Sequence, residues 1–247
     1  MNRGWISLGW GEDRAPNAPT AMLSLACQGD MRLKPRPAAI VLEETARLFP
    51  SRRFVWLRQE HTRVVLRSGA GDAAAGLAGD GLVTDDPQTL LGVSVADCMP
   101  VFLWDTAGGG RALLHSGWKG TGIAREALKL MKASYGSRPE NIRALLGPSI
   151  RSCCYAVPQE RARSFAEEFG EDAAVFRDGA WRLDLVAANT KILKAEGVLG
   201  VFAYPACTCC DARFSSYRRQ GKGGYTCMLA LCAPWQAEGR RGRHNTI

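Results

Sequence analysis

The chain has 247 residues, of which 46% are hydrophobic, 23% charged and 8% aromatic. This ordinary globular composition excludes collagen-like, low-complexity and predominantly disordered proteins. The 32 Lys and Arg residues against 24 Asp and Glu residues give a formal net charge of +8, but three of these charges lie at Arg240, Arg241 and Arg243. The body of the chain is therefore mildly basic, which does not require a nucleic-acid partner and readily accommodates an anionic substrate.

The lack of targeting signals and the pattern of cysteine usage both predict a soluble, cytoplasmic protein with no membrane partner. No window reaches the ~18 apolar residues of a membrane span, and the first residues lack the apolar stretch of a signal peptide. The nine cysteines form an odd set. Without a secretion signal, they are expected to be thiols or metal ligands rather than a disulfide framework.

The first half of the chain is predicted to be rich in strands. Residues 1–37 show little periodicity and are predicted to be irregular, whereas Ala38–Phe49 has helical spacing and ends before Pro50. Glycine-rich breakers then separate short β-branched or aromatic runs. The predicted strands are Phe54–Leu57, Val64–Leu66, Leu90–Val95, Val101–Trp104 and Ala112–His115.

The second half mixes helices with strands. Helices are predicted at Gly122–Tyr135, Pro158–Phe169 and Asp184–Glu196, and strands at Ile142–Leu146 and Val198–Ala203. This order favours one α+β or layered α/β domain over residues 1–247. The basic tail from about residue 237 is expected to be disordered.

The histidines are informative because there are only three. His244 lies in the basic tail, but His61 and His115 each follow a strand-like run, and Cys98 ends the run that begins at Leu91. Two imidazoles and one thiolate suit Zn²⁺ and leave a fourth position open for water or substrate. The gaps between the three residues match no compact ligand motif. Two alternatives therefore stay open: satisfied histidines beside a buried thiol, or a Cys–His nucleophile pair without metal.

An ordered set of motifs resembles the YfiH-like family, also called the polyphenol oxidase or laccase-domain family of purine nucleoside phosphorylases. The resemblance covers roughly residues 55–225, and the ordered combination of motifs is specific. The segments are Arg58-Gln59-Glu60-His61, Gly79–Thr84, Val95–Pro100, Leu114–Gly120, Leu146–Ile150, Cys153-Cys154-Tyr155, Cys207-Thr208 and Phe214–Arg219.

The resemblance implies that His61, Cys98 and His115 bind a catalytic zinc. It also implies a layered β-sandwich flanked by helices, phosphorolysis of adenosine, inosine and methylthioadenosine, and an accompanying adenosine deaminase activity. Copper-dependent phenol oxidation has also been attached to relatives. A multicopper oxidase would need more histidines than this chain has, so zinc is favoured over copper.

Deamination needs a carboxylate that shuttles a proton beside the metal-bound hydroxide. Asp97, next to Cys98, and Asp80, in a glycine-flanked turn, are the candidates. For each aspartate the alternative is a turn residue, or a residue that holds a metal ligand in place.

Phosphorolysis needs an anion site beside the ribose. Lys119 and the backbone N–H groups of Gly117–Gly122, which lead into a predicted helix, are one candidate for it. Arg218 and Arg219 are the other, because guanidinium groups bind phosphate in bidentate fashion. The alternative for the glycine-rich segment is a tight turn, and the alternative for the two arginines is a solvated surface pair.

The sequence departs from the family at several positions. Thr62 stands where the family usually has Gly, Lys119 where it has Arg, and Gly223-Gly224 where it has Gly-Arg. The family's N-terminal active-site Arg has no counterpart in Ser7–Gly11, although Arg14 is near in sequence. The cysteines at 207, 209 and 210 are predicted to be buried, redox-sensitive thiols rather than a second metal site, because adjacent cysteines are poor chelators.

Three hypotheses follow for the function. The first is a zinc-dependent purine nucleoside phosphorylase and adenosine deaminase that takes a purine nucleoside and phosphate. The second is a cysteine hydrolase or amidase in which Cys98 attacks and His61 or His115 is the base. The third is a relative that retains the metal but has lost turnover.

Overall fold

The structure is a computed structural model that describes residues 4–11, 17–69 and 74–234. The strands are β1 (Trp5–Ser7), β2 (Thr20–Ser24), β3 (Arg53–Trp56), β4 (Val65–Arg67), β5 (Gly81–Thr84), β6 (Thr89–Val95), β7 (Met99–Asp105), β8 (Arg111–Ser116), β9 (Ile142–Leu146), β10 (Ala156–Val157), β11 (Ala174–Arg177), β12 (Ala180–Leu183), β13 (Gly200–Ala203) and β14 (Met228–Ala233). The helices are α1 (Ala39–Leu48), α2 (Ile123–Tyr135), α3 (Gln159–Phe169), α4 (Leu185–Ala195) and α5 (Tyr217–Gln220).

Two large mixed sheets form the centre of the fold. The first has the strand order β1-β2-β14-β6-β3, and the second has the order β13-β9-β7-β8-β5-β4. A small third sheet has the order β10-β12-β11. Strand β6 of the first sheet continues through three residues into β7 of the second, so the chain crosses between the sheets at this point.

The two large sheets pack face to face, with helices on their outer faces. Leu23 and Val93 from the first sheet meet Phe102 and Leu113 from the second in one buried cluster. Helices α2, α3 and α4 cover the other face of the second sheet, and α1 covers the other face of the first. Because side chains alternate along a strand, each sheet contributes to two cores. The predicted α+β layered sandwich is confirmed.

Each helix and strand predicted from the sequence is present, with ends shifted by one or two residues. The prediction that residues 1–37 are irregular is wrong, because β1 and β2 pair there and extend the first sheet. The strand β14 was also missed. Its apolar run lacks β-branched residues, but it pairs with both β2 and β6 in the middle of the first sheet. The tail from residue 237, including His244, lies outside the described residues.

Two of the three predicted metal ligands lie where the chain passes between the two sheets, and the third lies in the second sheet. His61 lies on the connection from β3 to β4, Cys98 on the crossing from β6 to β7, and His115 near the end of β8. In the part of the chain that the structure describes, no helix combines the length and the apolar character needed to cross a membrane.

The layered core predicts that truncating two different leucines will lower the free energy of unfolding by very different amounts. Leu23 is fully buried between the sheets, whereas Leu199 is 77% exposed. We expect Leu23→Ala to lower the free energy of unfolding by ~2–5 kcal/mol, because it leaves a cavity in the sandwich. Leu199→Ala, the matched control, should change it by less than about 0.5 kcal/mol. Urea denaturation followed by circular dichroism measures both, and equal effects would contradict this layering.

Candidate metal centre and cavity

His61, Cys98 and His115 come together in space although they are far apart in sequence. Their ligand atoms all lie within 4.8 Å of one another. The two imidazole rings are 4.8 Å apart between centroids and nearly perpendicular. Cys98 is half-buried and His115 is buried, while His61 is exposed at the mouth of the site. This is a converging set of two nitrogen ligands and one sulfur ligand, the donor types that zinc prefers.

Asp80 holds both histidine-bearing segments in position. One of its carboxylate oxygens accepts hydrogen bonds from the His61 backbone N–H at 3.0 Å and from His115 Nδ1 at 2.9 Å. The other accepts from the backbone N–H groups of Glu60 and Thr62, at 3.1 and 2.7 Å, and from the Thr62 hydroxyl at 2.8 Å. Because Nδ1 of His115 is engaged by Asp80, its Nε2 is the nitrogen left for a metal.

The charges in this group support one another. Burial disfavours the carboxylate of Asp80, but the hydrogen bonds from His115 and Thr62 outweigh that cost and lower its pKa to about 2. Burial likewise disfavours the Cys98 thiolate, yet His115 and His61 lower its pKa to about 6. The Cys98 thiolate and Asp80 in turn raise the pKa of His115 to about 10 against the effect of burial.

The backbone also leaves room beside the sulfur. A Cβ atom on Gly117 would lie 2.7 Å from Cys98 Sγ and 3.8 Å from His61 Cδ2, so any larger residue would push the cysteine out of place. His61 and Asp97 both have positive φ angles, of 60° and 81°. Non-glycine residues adopt such angles only where the surrounding structure holds them, which is common at functional sites. The residues present therefore fit a metal with two imidazoles and one thiolate.

Asp97 is turned away from Cys98 toward two loops. Its carboxylate accepts hydrogen bonds from the Thr208 hydroxyl at 2.6 Å, the Ser216 hydroxyl at 3.0 Å and the Arg218 backbone N–H at 2.7 Å. All three donors lie more than one hundred residues away in the sequence. Asp97 thus fixes the segment that leads into β14 against the crossing that carries Cys98. Both Asp80 and Asp97 fit the positioning alternative better than the role of proton shuttle.

A cavity of about 590 Å³ opens above the metal ligands. Among the residues that the structure describes, four basic side chains line it, Arg32, Lys34, Arg161 and Arg218, and Asp97 is the single acidic one. The Arg161 guanidinium lies 4.4 Å from the centroid of the Trp118 ring, and the Arg218 guanidinium lies 5.4 Å from that of Tyr155. The cavity is thus positively charged and suits an anionic ligand.

Aromatic side chains give the same cavity flat apolar surfaces. Trp118, Tyr155, Tyr217 and Tyr225 all line it. Tyr217 and Tyr225 meet edge to face with centroids 5.1 Å apart. Rings of this kind stack well against planar heterocycles.

The predicted anion-binding residues separate into two groups. Arg218 lines the cavity, whereas neither Lys119 nor Arg219 does. Lys119 is exposed and lies 5.6 Å from the ring centroid of Trp118, and Arg219 donates to the carbonyls of Thr208 and Cys209. The structure therefore does not place Lys119 and Arg219 at this cavity, and an anion-binding role for these two residues stays a prediction. In the segment Gly117–Gly122, which leads into α2, Trp118 is the residue that lines the cavity.

Three basic cavity residues were missed by the sequence reasoning. Arg32 and Lys34 come from the segment before α1, and Arg161 comes from α3. The sequence contains one indirect signal for them: the family has an N-terminal active-site Arg that this chain lacks, so another positive charge would be needed at the site. Leu8 and Trp10, from the segment that lacks this Arg, are core residues of the sandwich, and Arg14 lies outside the described residues. Thr62, another departure, adds the hydroxyl donor to Asp80.

The late cysteines are arranged differently from the prediction. Cys210 is exposed and Cys207 and Cys209 are half-buried, so the prediction of buried thiols is wrong. Strands β9 and β13 are parallel neighbours, which places the loops that follow them at the same edge of the sheet. Cys153 and Cys154 on the first loop therefore meet Cys207 and Cys210 on the second.

Comparisons with known proteins identify the family of this chain. Residues 31–233 match the family described as multi-copper polyphenol oxidoreductase laccase. A purine nucleoside phosphorylase from Deinococcus radiodurans is 34% identical over 232 residues, which cover 91% of this chain and 87% of that protein.

Solved structures show the same fold. YlmD from Geobacillus stearothermophilus matches with a TM-score of 0.82 and 29% identity, over 96% of this chain and 98% of that chain. YfiH from Bacillus licheniformis matches with a TM-score of 0.76 and 27% identity, over 89% of this chain and 97% of that chain. The resemblance to YfiH-like proteins is confirmed.

The contacts of Asp80 predict a loss of metal affinity in Asp80→Asn. The amide has one acceptor oxygen, and its NH₂ group would face backbone donors, so the histidine segments lose their common anchor. We expect zinc affinity to fall by ~10–100-fold, measured by competition with a chromophoric chelator. Asp85→Asn, the same change at an exposed aspartate, should leave the affinity unchanged. Equal affinities in the two variants would show that Asp80 does not position the ligands.

Proposed function

Because this chain belongs to the multi-copper polyphenol oxidoreductase laccase family, which includes YfiH-like proteins, we propose that it is a zinc-dependent purine nucleoside phosphorylase. It transfers the ribosyl group of adenosine, inosine or methylthioadenosine to phosphate and releases the free base. The observation that carries this proposal is the cationic, aromatic cavity above His61, Cys98 and His115. The relative from Deinococcus radiodurans that is named a purine nucleoside phosphorylase supports the reaction type.

His61, Cys98 and His115 would hold the zinc ion. When bound there, zinc supplies a Lewis acid that withdraws negative charge from a phosphate or substrate oxygen. Asp80 keeps Nδ1 of His115 occupied and so directs Nε2 toward the centre. The lowered pKa of Cys98 keeps its sulfur in the thiolate form that binds metal.

Arg161 and Arg218 are the proposed phosphate ligands. Both guanidinium groups line the same cavity. Arg218 is held by the carbonyls of Cys154 and Ala156 at 3.2 and 2.8 Å, while Arg161 rests on the face of Trp118. Two fixed guanidinium groups lower the repulsion between phosphate and the electron-rich substrate and orient an oxygen toward the anomeric carbon.

The aromatic residues are proposed to bind the nucleoside. A purine is a flat heterocycle that stacks against rings such as those of Tyr217 and Tyr225. Burial raises the pKa of the Tyr155 phenol, so this hydroxyl stays protonated and is available as a hydrogen-bond donor in the cavity. Closing such rings over the substrate also excludes water, which favours attack by phosphate over hydrolysis.

Adenosine deamination is the weaker part of the proposal. It needs a carboxylate free to move a proton, and Asp97, the acidic residue that lines the cavity, already accepts three hydrogen bonds. Asp80 is fully buried behind the histidines. Copper-dependent phenol oxidation also ranks below phosphorolysis, because only two histidines converge in the part of the chain that the structure describes.

The reaction is tested by incubating the purified protein with adenosine in the presence and absence of phosphate. We expect adenine and ribose 1-phosphate only when phosphate is present, and no product from His115→Ala, which removes a proposed zinc ligand. Chromatography identifies the products, and elemental analysis gives the zinc content of the same samples.

Each other result contradicts the proposal in a distinct way. Inosine formed with no adenine, even when phosphate is present, would indicate deamination alone. Turnover by zinc-free protein that is lost on alkylation of Cys98 would indicate a cysteine hydrolase. Zinc-loaded protein that releases no adenine would indicate a relative without turnover.

The phosphate site predicts a specific kinetic effect of Arg161→Gln. Because a hydrogen bond to a charged group contributes about 1.5–3 kcal/mol, we expect KM for phosphate to rise roughly 10–100-fold, with a smaller change in KM for adenosine. Arg163→Gln removes the same charge from an exposed position on the same helix, α3, and should leave both constants unchanged. A similar rise in both variants would mean that only overall charge matters.

A further inference from the structure

A second group of metal-ligating side chains lies outside the proposed active site. Cys153, Cys154, Cys207 and Cys210 each place a sulfur within 4.8 Å of the other three. The Sγ atom of Cys153 is 3.8 Å from that of Cys154 and 3.7 Å from that of Cys210, and Cys154 and Cys210 are 3.3 Å apart. Four sulfurs bound tetrahedrally to zinc at about 2.3 Å would lie roughly 3.8 Å from one another. The arrangement therefore has the size of a zinc tetrathiolate site.

We propose that these four cysteines bind a second zinc ion, which is structural because all four tetrahedral positions are taken by protein sulfur. Cys207 and Cys210 are separated by two residues, the commonest spacing of a zinc knuckle. Cys153 and Cys154 supply the second pair from the loop after β9. Although adjacent cysteines are usually poor chelators, these two sulfurs lie 3.8 Å apart, which is the separation that tetrahedral zinc needs. This site shares no ligand with His61, Cys98 and His115 and does not depend on the proposed activity.

The backbone around Cys207 is arranged for a thiolate. The Arg151 N–H points at Cys207 Sγ at 3.4 Å. Turns that direct N–H groups at a ligating sulfur stabilise its negative charge in the same way that they stabilise any buried anion.

The surrounding charges also suit a negatively charged centre. Four thiolates and one Zn²⁺ carry a net charge of −2, so cations nearby are favourable. The loops that bear the cysteines are held by four arginines that donate to their backbone carbonyls. These contacts are Arg151 to Ala206, Arg182 to Cys153, Arg218 to Cys154 and Arg219 to Cys209.

Without a cation, the same four sulfurs cannot all ionise. Each sulfur lies within 4.8 Å of the other three, so four thiolates at these positions would repel one another strongly. A divalent metal removes this repulsion by replacing the protons, and its binding releases them. The cluster thus needs a cation before all four sulfurs can be thiolates.

The position of the site gives it a role in shaping the cavity. Tyr155, which lines the cavity, follows Cys154 directly. Arg218 donates to the carbonyl of Cys154, and the Thr208 hydroxyl, inside the knuckle, donates to Asp97. A zinc ion that joins the two cysteine loops would therefore fix the cavity wall that carries Tyr155 and Arg218.

The test measures metal content in the full-length protein. In His115→Ala, which removes the first centre, we expect about one zinc per chain to remain, because four-cysteine sites hold zinc independently. Adding Cys207→Ser and Cys210→Ser to this variant should remove that zinc. Cys209→Ser, which alters the neighbouring cysteine outside the group, is the matched control and should retain it.

Cobalt provides a readout that does not depend on whether the serine variants fold. Zinc is stripped from His115→Ala protein, which retains all four cysteines, and Co²⁺ is added. We expect thiolate-to-cobalt charge-transfer bands and intense tetrahedral d–d bands at about one equivalent, and protection of about four thiols from alkylation. Zinc-free His115→Ala protein that gives no such bands would overturn the proposal. An intact mass showing that these cysteines are joined as a disulfide in freshly purified protein would overturn it as well.

Discussion

The site depends on the carboxylate of Asp80, a buried anion between two sheets that accepts five hydrogen bonds. An unpaired charge at such a position would cost several kcal/mol. Here His115 and the backbone of residues 60–62 supply the compensation, so the aspartate is stable only if both histidine segments adopt their places. One residue thus couples the folding of two distant strand ends to the geometry of the metal ligands. The left-handed conformation of His61 is held by the same contacts.

Asp97 also joins distant segments of the chain through the hydrogen bonds of a single carboxylate. It too has a positive φ angle, and its carboxylate binds Thr208, Ser216 and the backbone of Arg218. These contacts bring the late segments of the chain against the crossing between the sheets. Asp97 was a candidate for proton transfer because it adjoins Cys98, and Asp80 because it lies in a glycine-flanked turn. The hydrogen bonds that both carboxylates accept from protein groups show why neither sequence position is a good guide to a carboxylate's role.

Local patterns predicted much of the fold but less of the site. The helix α2 has a strong apolar face and glycines at both ends, so its bounds followed from residues 122–136 alone. The strand β14 has no alternation, because both of its faces are buried by long-range packing. The residue pattern alone left His61, Cys98 and His115 open as metal ligands, and the motif resemblance selected them. Arg32 and Arg161 could not be predicted in either way, because only the tertiary structure brings residues from before α1 and from α3 to one cavity.

The distribution of charge favours phosphorolysis over the other reactions that this site resembles. The negative groups, Asp80 and Asp97, are buried or fully hydrogen-bonded, and they act on protein atoms rather than on a ligand. The positive groups, above all Arg161 and Arg218, are those that reach the cavity. A reaction that takes up an anion gains from this arrangement, because guanidinium groups bind it directly and the buried carboxylates are too well neutralised to repel it. A reaction that requires a free carboxylate in the cavity finds none among the described lining residues.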